Sequence, residues 1–278
     1  MDNDTQLRID IDAVLRQRAP RLRRWMPRAM VRALERFVHQ DEMNRLLEAT
    51  AGLRGADFCR GVLSHLGVSC SLQPGSALPA AADSRVIFVS NHPLGGLDGM
   101  ALIALLAEGM QRPVKAVVND LLMAVEPLSD VFLPVNKHGR QNRADGIRLE
   151  EAFAAEGPLL MFPAGLCSRR GADGTVADLD WQKMFVNHAI RHQRDIIPLH
   201  FSGRNSNFFY NFASLRRRLG IRFNIEMTRL PAEVFLSRGK CFSVAVGDRI
   251  PWQSLRGGAG ALQQAAEIRR IVYTLSKS

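Results

Sequence analysis

The sequence predicts an α/β fold, with helices flanking a mixed, largely parallel β-sheet and a helical appendage at the N-terminus. From residue 86 onward, short apolar runs alternate with segments of helical periodicity, which is typical of such sheets. Before residue 73 helical periodicity dominates, and a segment rich in Pro, Ala, Gly and Ser follows over residues 73–84. We therefore expect a basic amphipathic helical region over residues 1–75 and the main domain over residues 76–278.

The first element is a basic helix over residues 11–39. Its apolar residues recur at helical spacing, and arginines lie between them. Pro20 and Pro27 should break or bend it, because proline cannot donate the helical hydrogen bond. An apolar stripe beside an Arg-rich face suits a membrane interface, although a helix packed on its own domain would show the same pattern. Two shorter helices are expected over residues 41–48 and 56–66.

The later elements follow in alternation. The predicted strands are short apolar runs at residues 86–90, 114–118, 132–136, 159–162, 196–201, 221–227 and 242–246. The predicted helices cover residues 99–108, 120–125, 141–155, 181–191, 215–218 with its flanks, and 260–275. Parallel strands need long crossover connections, and helices supply them here, so the sheet should be largely parallel.

The composition limits the compartment and the partners. Lys and Arg number 37 against 27 acidic residues, a net charge of +10, which favours an anionic partner such as lipid headgroups or nucleic acid. The polar, acidic N-terminus does not resemble a secretory signal, and the longest apolar run is well under the roughly 20 residues that span a bilayer. Four isolated cysteines indicate a reducing compartment and no zinc site. We expect a cytoplasmic protein, soluble or peripheral.

The strongest chemical signal is the sequence Asn-His-Pro-Leu-Gly-Gly-Leu-Asp at residues 91–98, directly after a predicted strand. Catalytic groups in α/β sheets collect at the carboxyl ends of strands, where His92 falls. The glycine pair lets the turn fold back and bring Asp98 towards His92. A carboxylate on one ring nitrogen would fix the tautomer, and the other nitrogen could accept a proton from an alcohol. The alternative is that Asp98 only caps a helix.

This His92-x5-Asp98 motif, with Asn91 before it, resembles the first motif of the glycerolipid acyltransferase family, which includes the 1-acylglycerol-3-phosphate acyltransferases. That family usually has four residues between His and Asp, where this chain has five. The variant with the Gly-Gly pair is similar to a hemolysin-like bacterial branch of acyltransferases. The resemblance covers about residues 85–250 and implies a glycerol-3-phosphate acyltransferase-like fold, with residues 76–278 as the acyltransferase domain.

Three further blocks resemble later motifs of the family and occur in the same order, at residues 132–137, 162–168 and 197–203. The third motif of the family reads Phe-Pro-Glu-Gly-Thr-Arg-Ser, and here Ala164 and Cys167 replace its Glu and Arg. The resemblance and the neighbouring basic residues give the candidate acceptor-binding residues Asn91, Lys137, Arg140, Pro163, Gly165, Ser168, Arg169, Gly203 and Arg204.

The resemblance implies a function in lipid biosynthesis: transfer of a fatty acyl group from an acyl carrier protein or coenzyme A thioester to the hydroxyl of a lysolipid. His92 would act as general base, Asp98 would orient it, and backbone N–H groups near Gly165 would stabilise the oxyanion, each worth about 3 kcal/mol. The enzyme would work at an anionic membrane surface, on the inner face of the cell membrane, without a bound cofactor or metal. The altered third motif favours a lyso-aminolipid acceptor with a carboxylate headgroup over lysophosphatidate.

Other functions use the same features. The dyad could acylate an amine or act as a thioesterase, with water as the acceptor. Aromatic and basic residues at 205–218 could contact a bilayer, bind single-stranded nucleic acid, or be ordinary core and surface residues. Nucleic-acid binding leaves the ordered motifs unexplained, so we expect no such partner.

Two remaining residue types carry no predicted chemistry. Cys167 lacks a base nearby in sequence and is interpreted as a small core or lining residue. Four histidines show no consistent metal spacing and are interpreted as structural or surface residues: His138, His188, His192 and His200.

Overall fold

Among the described residues five helices precede the first strand of the sheet, and the breaks between the first three fall at proline. The computed structural model describes residues 8–119, 122–123, 125–135, 142–221 and 223–277. Pro20 begins the second helix and Pro27 immediately precedes the third, which confirms the predicted breaks. The first four helices are α1 (Ile11–Arg18), α2 (Pro20–Trp25), α3 (Arg28–Phe37) and α4 (Gln40–Ala49).

A seven-stranded sheet forms the centre of the molecule. Its strands are β1 (Ser69–Leu72), β2 (Val86–Ser90), β3 (Lys115–Asn119), β4 (Phe132–Val135), β5 (Leu159–Met161), β8 (Asp195–Phe201) and β9 (Cys241–Val246). They lie in the order β1-β9-β8-β2-β5-β3-β4. Every neighbouring pair is parallel except β8 with β9, so the predicted mixed, largely parallel sheet is confirmed. A separate antiparallel pair consists of β6 (Arg169–Arg170) and β7 (Val176–Ala177).

Helices cover both faces of the sheet. They are α5 (Gly55–Leu66), α6 (Leu97–Gly109), α7 (Arg143–Ala154), α8 (Met184–Arg191), α9 (Asn207–Arg218), α10 (Leu230–Phe235) and α11 (Ala261–Thr274). Phe88 on β2 packs in the core formed with α5 and α6, whereas Val89 packs in the core formed with α7, α8 and α11. Because successive side chains of a strand point to opposite faces, β2 is buried on both sides.

The predicted strand at residues 221–227 is wrong. Residues Ile225–Arg229 form a short 3₁₀ helix, and Phe223 is exposed. The period-two apolar pattern of this segment favours a strand, but Glu226 is fully buried between two arginines. The burial of this charge requires ion pairs with Arg169 and Arg216, which lie outside the segment, and its apolar pattern does not reveal them. Half of the predicted helix at residues 120–125, namely residues 120, 121 and 124, lies outside the described residues.

The proposed division at residue 75 stays a prediction, although described residues on its N-terminal side contribute to the main core and sheet. Helix α5 contributes to the same core as β2 and α6, and β1 pairs with β9 in the main sheet. The role of the helical region as a membrane element stays a prediction. None of the helices in the described part of the chain is long and apolar enough to cross a membrane.

Candidate active site

The carboxyl ends of three adjacent parallel strands carry three of the motif blocks. Strand β2 lies between β5 and β8, and all three run in the same direction. Residues 91–98 follow β2, residues 162–168 follow β5, and Gly203 follows β8. The order of these strands therefore brings together segments that are far apart in sequence, at the edge where α/β folds place their sites.

Asn91 anchors the first motif to the sheet. Its Nδ2 donates to the carbonyl of Phe201 at 3.0 Å, and its Oδ1 accepts from the N–H of Phe201 at 2.7 Å. Asn91 is buried, and both ends of its amide are used by β8. The geometry supports a structural role, which fixes the start of the His92 turn, more than the predicted contact with the acceptor.

The structure brings His92 and Asp98 together. Nδ1 of His92 lies 3.0 Å from Oδ2 of Asp98, whose side chain is fully buried. The same carboxylate accepts N–H groups from the turn and the first turn of α6, at 2.9 Å from Leu94, 3.0 Å from Gly96 and 2.9 Å from Gly99. Asp98 thus binds both the backbone of the turn and the imidazole with one carboxylate. It is not the N-cap of α6, because that position is Gly96.

These contacts determine the charge of Asp98. Burial alone would raise its pKa, but the interaction with His92 and the backbone N–H donors outweigh the burial and lower the pKa below the ordinary value of 3.8. The carboxylate is therefore ionised at neutral pH. An ionised partner holds the imidazole in one orientation and stabilises the imidazolium that forms on proton uptake.

A glycine lets the turn pack closely on the third motif. Gly95 has φ of +77°, and a Cβ placed there would lie 2.9 Å from Cβ of Cys167. Both the positive φ and the close approach exclude other residues. The His92 turn and residues 162–168 are therefore in direct contact.

The ring of His92 remains accessible. It packs on the ring of Phe162 with 4.2 Å between centroids, and 16% of its side chain is exposed. Because Nδ1 is bonded to Asp98, Nε2 is the nitrogen that would receive a proton from a substrate.

A second buried carboxylate, which we did not predict from the sequence, connects the first and third motifs. Oδ1 of Asp178 accepts from the backbone N–H of His92 at 3.1 Å and from the hydroxyl of Ser168 at 2.6 Å. Its Oδ2 accepts from the indole N–H of Trp181 at 3.0 Å. The N–H of Ser168 donates to the carbonyl of His92 at 2.8 Å. Ser168, predicted to bind the acceptor, is thus buried and used to hold the backbone of His92.

The third motif forms a tight turn. The N–H of Gly165 donates to the carbonyl of Phe162 at 2.9 Å, and the carbonyl of Pro163 accepts from the N–H of Gln182 at 3.0 Å. Pro163 and Ala164 are buried, and Ala164 packs in the core that includes α7 and α8. Because the N–H of Gly165 is already bonded, an oxyanion site in this region requires a different N–H donor.

Arg169 and Cys167 belong to a buried cluster of charged and sulfur-containing groups. Arg169 Nη2 lies 3.0 Å from Oε1 of Glu226, and Arg216 Nε lies 2.8 Å from Oε2 of the same carboxylate. Arg169 Nη1 also lies 2.8 Å from Sγ of Cys167. Since Arg169 is paired with Glu226 and its side chain is buried, the geometry gives no support to Arg169 as a headgroup ligand.

The thiol of Cys167 is protonated at neutral pH. Burial raises its pKa to about 11, and the nearby Arg169 lowers it only in part. The side chain is fully buried between Gly95 and Met227. This environment agrees with the interpretation of Cys167 as a small lining residue rather than a nucleophile.

The fourth block places a basic residue on the surface. Gly203 has φ of +117°, and a Cβ there would lie 2.8 Å from the ring of Phe242. Arg204 follows it, is exposed, and donates to Oδ1 of Asn207 at 2.7 Å. The candidates Lys137 and Arg140 lie outside the described residues.

Comparisons with known proteins identify the family of this chain. Residues 13–278 match a family model described as acyltransferase. Lyso-glycine lipid O-acyltransferases from Bacteroides thetaiotaomicron and Phocaeicola vulgatus are each 40% identical over 275 residues, which is 99% of this chain and 100% and 98% of theirs. The crystal structure of PlsC, a 1-acyl-sn-glycerophosphate acyltransferase from Thermotoga maritima, aligns with 88% of this chain and 96% of its own, at 13% identity and a TM-score of 0.46. The chain therefore belongs to the acyltransferase family.

Proposed function

We propose that this enzyme transfers an acyl group from a thioester donor to the hydroxyl of a lyso-glycine lipid or a closely related lyso-aminolipid. The observation that carries the proposal is the contact of 3.0 Å between His92 and Asp98 at the end of the central strand β2. It occurs in a chain that is 40% identical, over nearly its full length, to two proteins named lyso-glycine lipid O-acyltransferase.

The proposed reaction is a direct transfer. Nε2 of His92 removes the proton of the acceptor hydroxyl as the oxygen attacks the thioester carbonyl, while Asp98 stabilises the imidazolium. The tetrahedral intermediate collapses, the C–S bond breaks, and His92 returns the proton to the leaving thiolate. The products are an ester and a free thiol, and no acyl-enzyme forms. The candidates for oxyanion stabilisation are backbone N–H groups of the turn at residues 162–168. Gly165 and Ser168 are excluded because their N–H groups donate to backbone carbonyls, and Pro163 is excluded because it has no N–H.

Two arginines are suited to bind the acceptor headgroup. Nη2 of Arg170 and Nη2 of Arg204 both donate to Oδ1 of Asn207, each at 2.7 Å. Both guanidinium groups lie over the ring of Tyr210, at 5.3 Å and 5.9 Å from its centroid. Two converging guanidinium groups match the two oxygens of a carboxylate. A glycine headgroup that is linked to the lipid through its amine keeps such a carboxylate.

This arginine pair is tied to the catalytic turn through Asn205. The N–H of Asn205 donates to the hydroxyl of Tyr210 at 3.0 Å, and its Nδ2 lies 3.4 Å from the carbonyl of Leu94 in the His92 turn. Arg170 is also close in sequence to Ser168, whose backbone N–H donates to the carbonyl of His92. The headgroup would therefore be held close to the base that receives the hydroxyl proton.

A joint surface of α1–α3 and α9 supports action at a membrane. The guanidinium of Arg229 lies between the rings of Phe37 and Phe208, at 4.8 Å and 5.0 Å from their centroids, which links α3 to α9. We define the interfacial surface as the exposed large apolar residues of these elements and the loop after α9: Val14, Leu22, Trp25, Met30, Phe208, Leu215, Leu219, Ile221 and Phe223. Arginines are interleaved with these residues in the sequence, and this combination suits an anionic lipid surface on the inner face of the cell membrane.

The test is an acceptor comparison with the purified enzyme. Acyl coenzyme A and acyl carrier protein thioesters are each supplied with a lyso-glycine lipid, with lysophosphatidate, with an amine acceptor, or with no acceptor. We expect rapid formation of the O-acylated glycine lipid and slow thioester hydrolysis in the absence of acceptor. Acylation of lysophosphatidate far faster than any lyso-aminolipid would overturn the proposed acceptor, and an N-acylated product or hydrolysis alone would overturn the reaction type.

Arginine variants test the headgroup contact. Arg170→Ala and Arg204→Ala should each raise the KM for the lyso-glycine lipid, with little change in kcat, because they remove binding rather than transition-state contacts. Arg218→Ala, which removes a charge at the end of α9, serves as the matched control. An unchanged KM in both variants would exclude the arginine pair as the headgroup site.

A further inference from the structure

A cluster of potential metal ligands lies at the end of the sheet opposite to His92. Glu150 on α7 faces His188 on α8 and His192, the residue that follows α8. Nε2 of His192 lies 3.1 Å from Oε2 of Glu150, and Nδ1 of His188 lies 3.8 Å from Oε1 of the same carboxylate. One ligand atom from each of the three residues lies within 4.8 Å of the others.

The protein alone leaves this cluster incompletely satisfied. Nδ1 of His188 is shielded from solvent and has no hydrogen-bond partner among the described residues. The 3.8 Å separation from Glu150 is too long for a hydrogen bond. The ring of His188 stacks on Phe153, with 4.2 Å between centroids, and on His192, with 5.7 Å. The imidazole is therefore held in position with a nitrogen that lacks a partner.

We propose that Glu150, His188 and His192 bind one divalent transition-metal ion of the Zn²⁺ type. Imidazole nitrogens with a carboxylate oxygen are a donor set that favours zinc and similar ions over Mg²⁺ or Ca²⁺. Ligand atoms about 2.1 Å from a tetrahedral metal are roughly 3.4 Å apart. One ligand atom from each of the three residues lies within 4.8 Å of the others, so small side-chain movements would close the cluster around an ion. A solvent-open cavity of about 540 Å³ borders Glu150 and His188 and leaves room for a water ligand.

One cation already contacts the cluster and must be displaced or rearranged. Nη1 of Arg191 lies 3.2 Å from Oε1 of Glu150, but 68% of its side chain is exposed. A largely exposed ion pair of this kind contributes little stability. The side chain of Arg191 can therefore move into the solvent, and the metal ion binds the carboxylate of Glu150 in its place.

The position of the site makes its role structural or regulatory rather than catalytic. The carbonyl of His192 accepts from Nη2 of Arg85, which immediately precedes β2, whereas His92 follows the other end of that strand. At about 3.3 Å per residue, Arg85 and His92 are roughly 20 Å apart. A bound ion would connect α7 to α8 and stabilise the folded enzyme without contact with the substrate.

Zinc binding by the metal-free, full-length enzyme tests this proposal. The measurements are calorimetric titration with Zn²⁺ and thermal unfolding with and without the ion, in a Cys241→Ser background that removes an exposed thiol. We expect one Zn²⁺ per chain and an increase in Tm. His192→Ala and Glu150→Gln should each weaken zinc binding by at least about tenfold and abolish the shift in Tm, while His65→Ala, an exposed histidine on α5, should behave like the parent.

Acyl-transfer activity without added metal serves as the folding control for His192→Ala and Glu150→Gln. We expect the activity of both variants to equal that of the parent, because the site does not contact the substrate. Failure of the parent to bind Zn²⁺ would overturn the proposal. So would equal affinity and an equal Tm shift in both His192→Ala and Glu150→Gln, since the bound ion would then lie elsewhere. None of these outcomes depends on the identity of the lipid acceptor.

Discussion

At the scale of single residues, the carboxylate of Asp98 is central to the site. It is fully buried, yet it accepts hydrogen bonds from the imidazole of His92 and from the backbone of the turn around it. A buried charge without such partners would be costly, so the turn and the dyad stabilise each other.

The ionisation of Asp98 should contribute to stability in a pH-dependent manner. Its pKa is lower in the folded state than its ordinary value of 3.8, so the contribution is present above that pH and is lost as the pH falls through the folded-state pKa. Asp98→Asn should therefore lower the free energy of unfolding most at neutral pH, with a smaller deficit in acid. Urea unfolding from neutral pH to about pH 3 measures this, with the exposed Asp180→Asn as control. A loss in the free energy of unfolding of Asp98→Asn that stays constant or grows in acid would contradict this role of Asp98.

Cys167 gives a second prediction at the residue scale, which concerns a protonated and unreactive side chain. Because burial raises its pKa to about 11, the thiol should react slowly with alkylating agents at mildly alkaline pH. Cys167→Ala should retain most of the acyl-transfer activity, since the proposed reaction has no acyl-enzyme. Mass spectrometry of the enzyme during turnover provides a second measurement, and an acyl group trapped on Cys167 would refute direct transfer.

At the scale of elements, Asp178 holds the segments after β2 and β5 together. It binds the backbone of His92 and the hydroxyl of Ser168 but has no contact with the acyl-transfer atoms in the proposed reaction. We interpret it as a positioning residue. A shift of the imidazole by about 1 Å can reduce turnover by roughly 100-fold, so small displacements of this backbone matter.

Substitution of Asp178 should separate turnover from binding. We expect Asp178→Ala to lower kcat by about 10- to 100-fold with little change in the KM for the acceptor. Asp178→Asn keeps the shape and one acceptor oxygen, so it should recover part of the loss. Kinetics are compared at temperatures well below the Tm of each variant. A lowered Tm with unchanged kcat in Asp178→Ala would show that Asp178 has only a structural role.

The part of the site that could be predicted from the sequence is the part formed by local contacts. The pairing of His92 with Asp98 is local, and the glycines between them indicate the turn that makes it. The partners of Asp178 come from three segments, and its contact with His92 spans 86 positions. Asp178 carries no spacing signal of its own in a single sequence. The same applies to Glu226, whose two arginine partners determine a local structure that the apolar pattern alone predicts wrongly.

At the scale of the whole molecule, the alternation of apolar runs and helical segments was sufficient to predict a largely parallel sheet with helices on both faces. The strand order was not predictable, because the pairing of β1 with β9 and the reversal between β8 and β9 depend on tertiary contacts. This order matters for function, since it places the three motif blocks at one edge of the sheet.

The interfacial surface makes a prediction about the whole molecule, because it combines the N-terminal helices with α9 and the loop that follows it. Trp25→Asp and Phe223→Asp should each reduce flotation with anionic liposomes, since each places a negative charge at an exposed apolar position. Turnover of a soluble short-chain acceptor should be unchanged. Leu262→Asp, at an exposed apolar position on α11, is the control. Undiminished flotation of both variants would assign membrane binding to another surface.

The most direct test of the central claim is the turnover of His92→Ala with a thioester donor and a lyso-glycine lipid acceptor, measured on folded protein with His65→Ala as control. If His92 is the general base held by Asp98, His92→Ala should lose about 1,000-fold or more in kcat, while its Tm stays close to that of the parent. Turnover at the rate of the parent enzyme would show that the proton is removed by another group, and the proposed mechanism would fail.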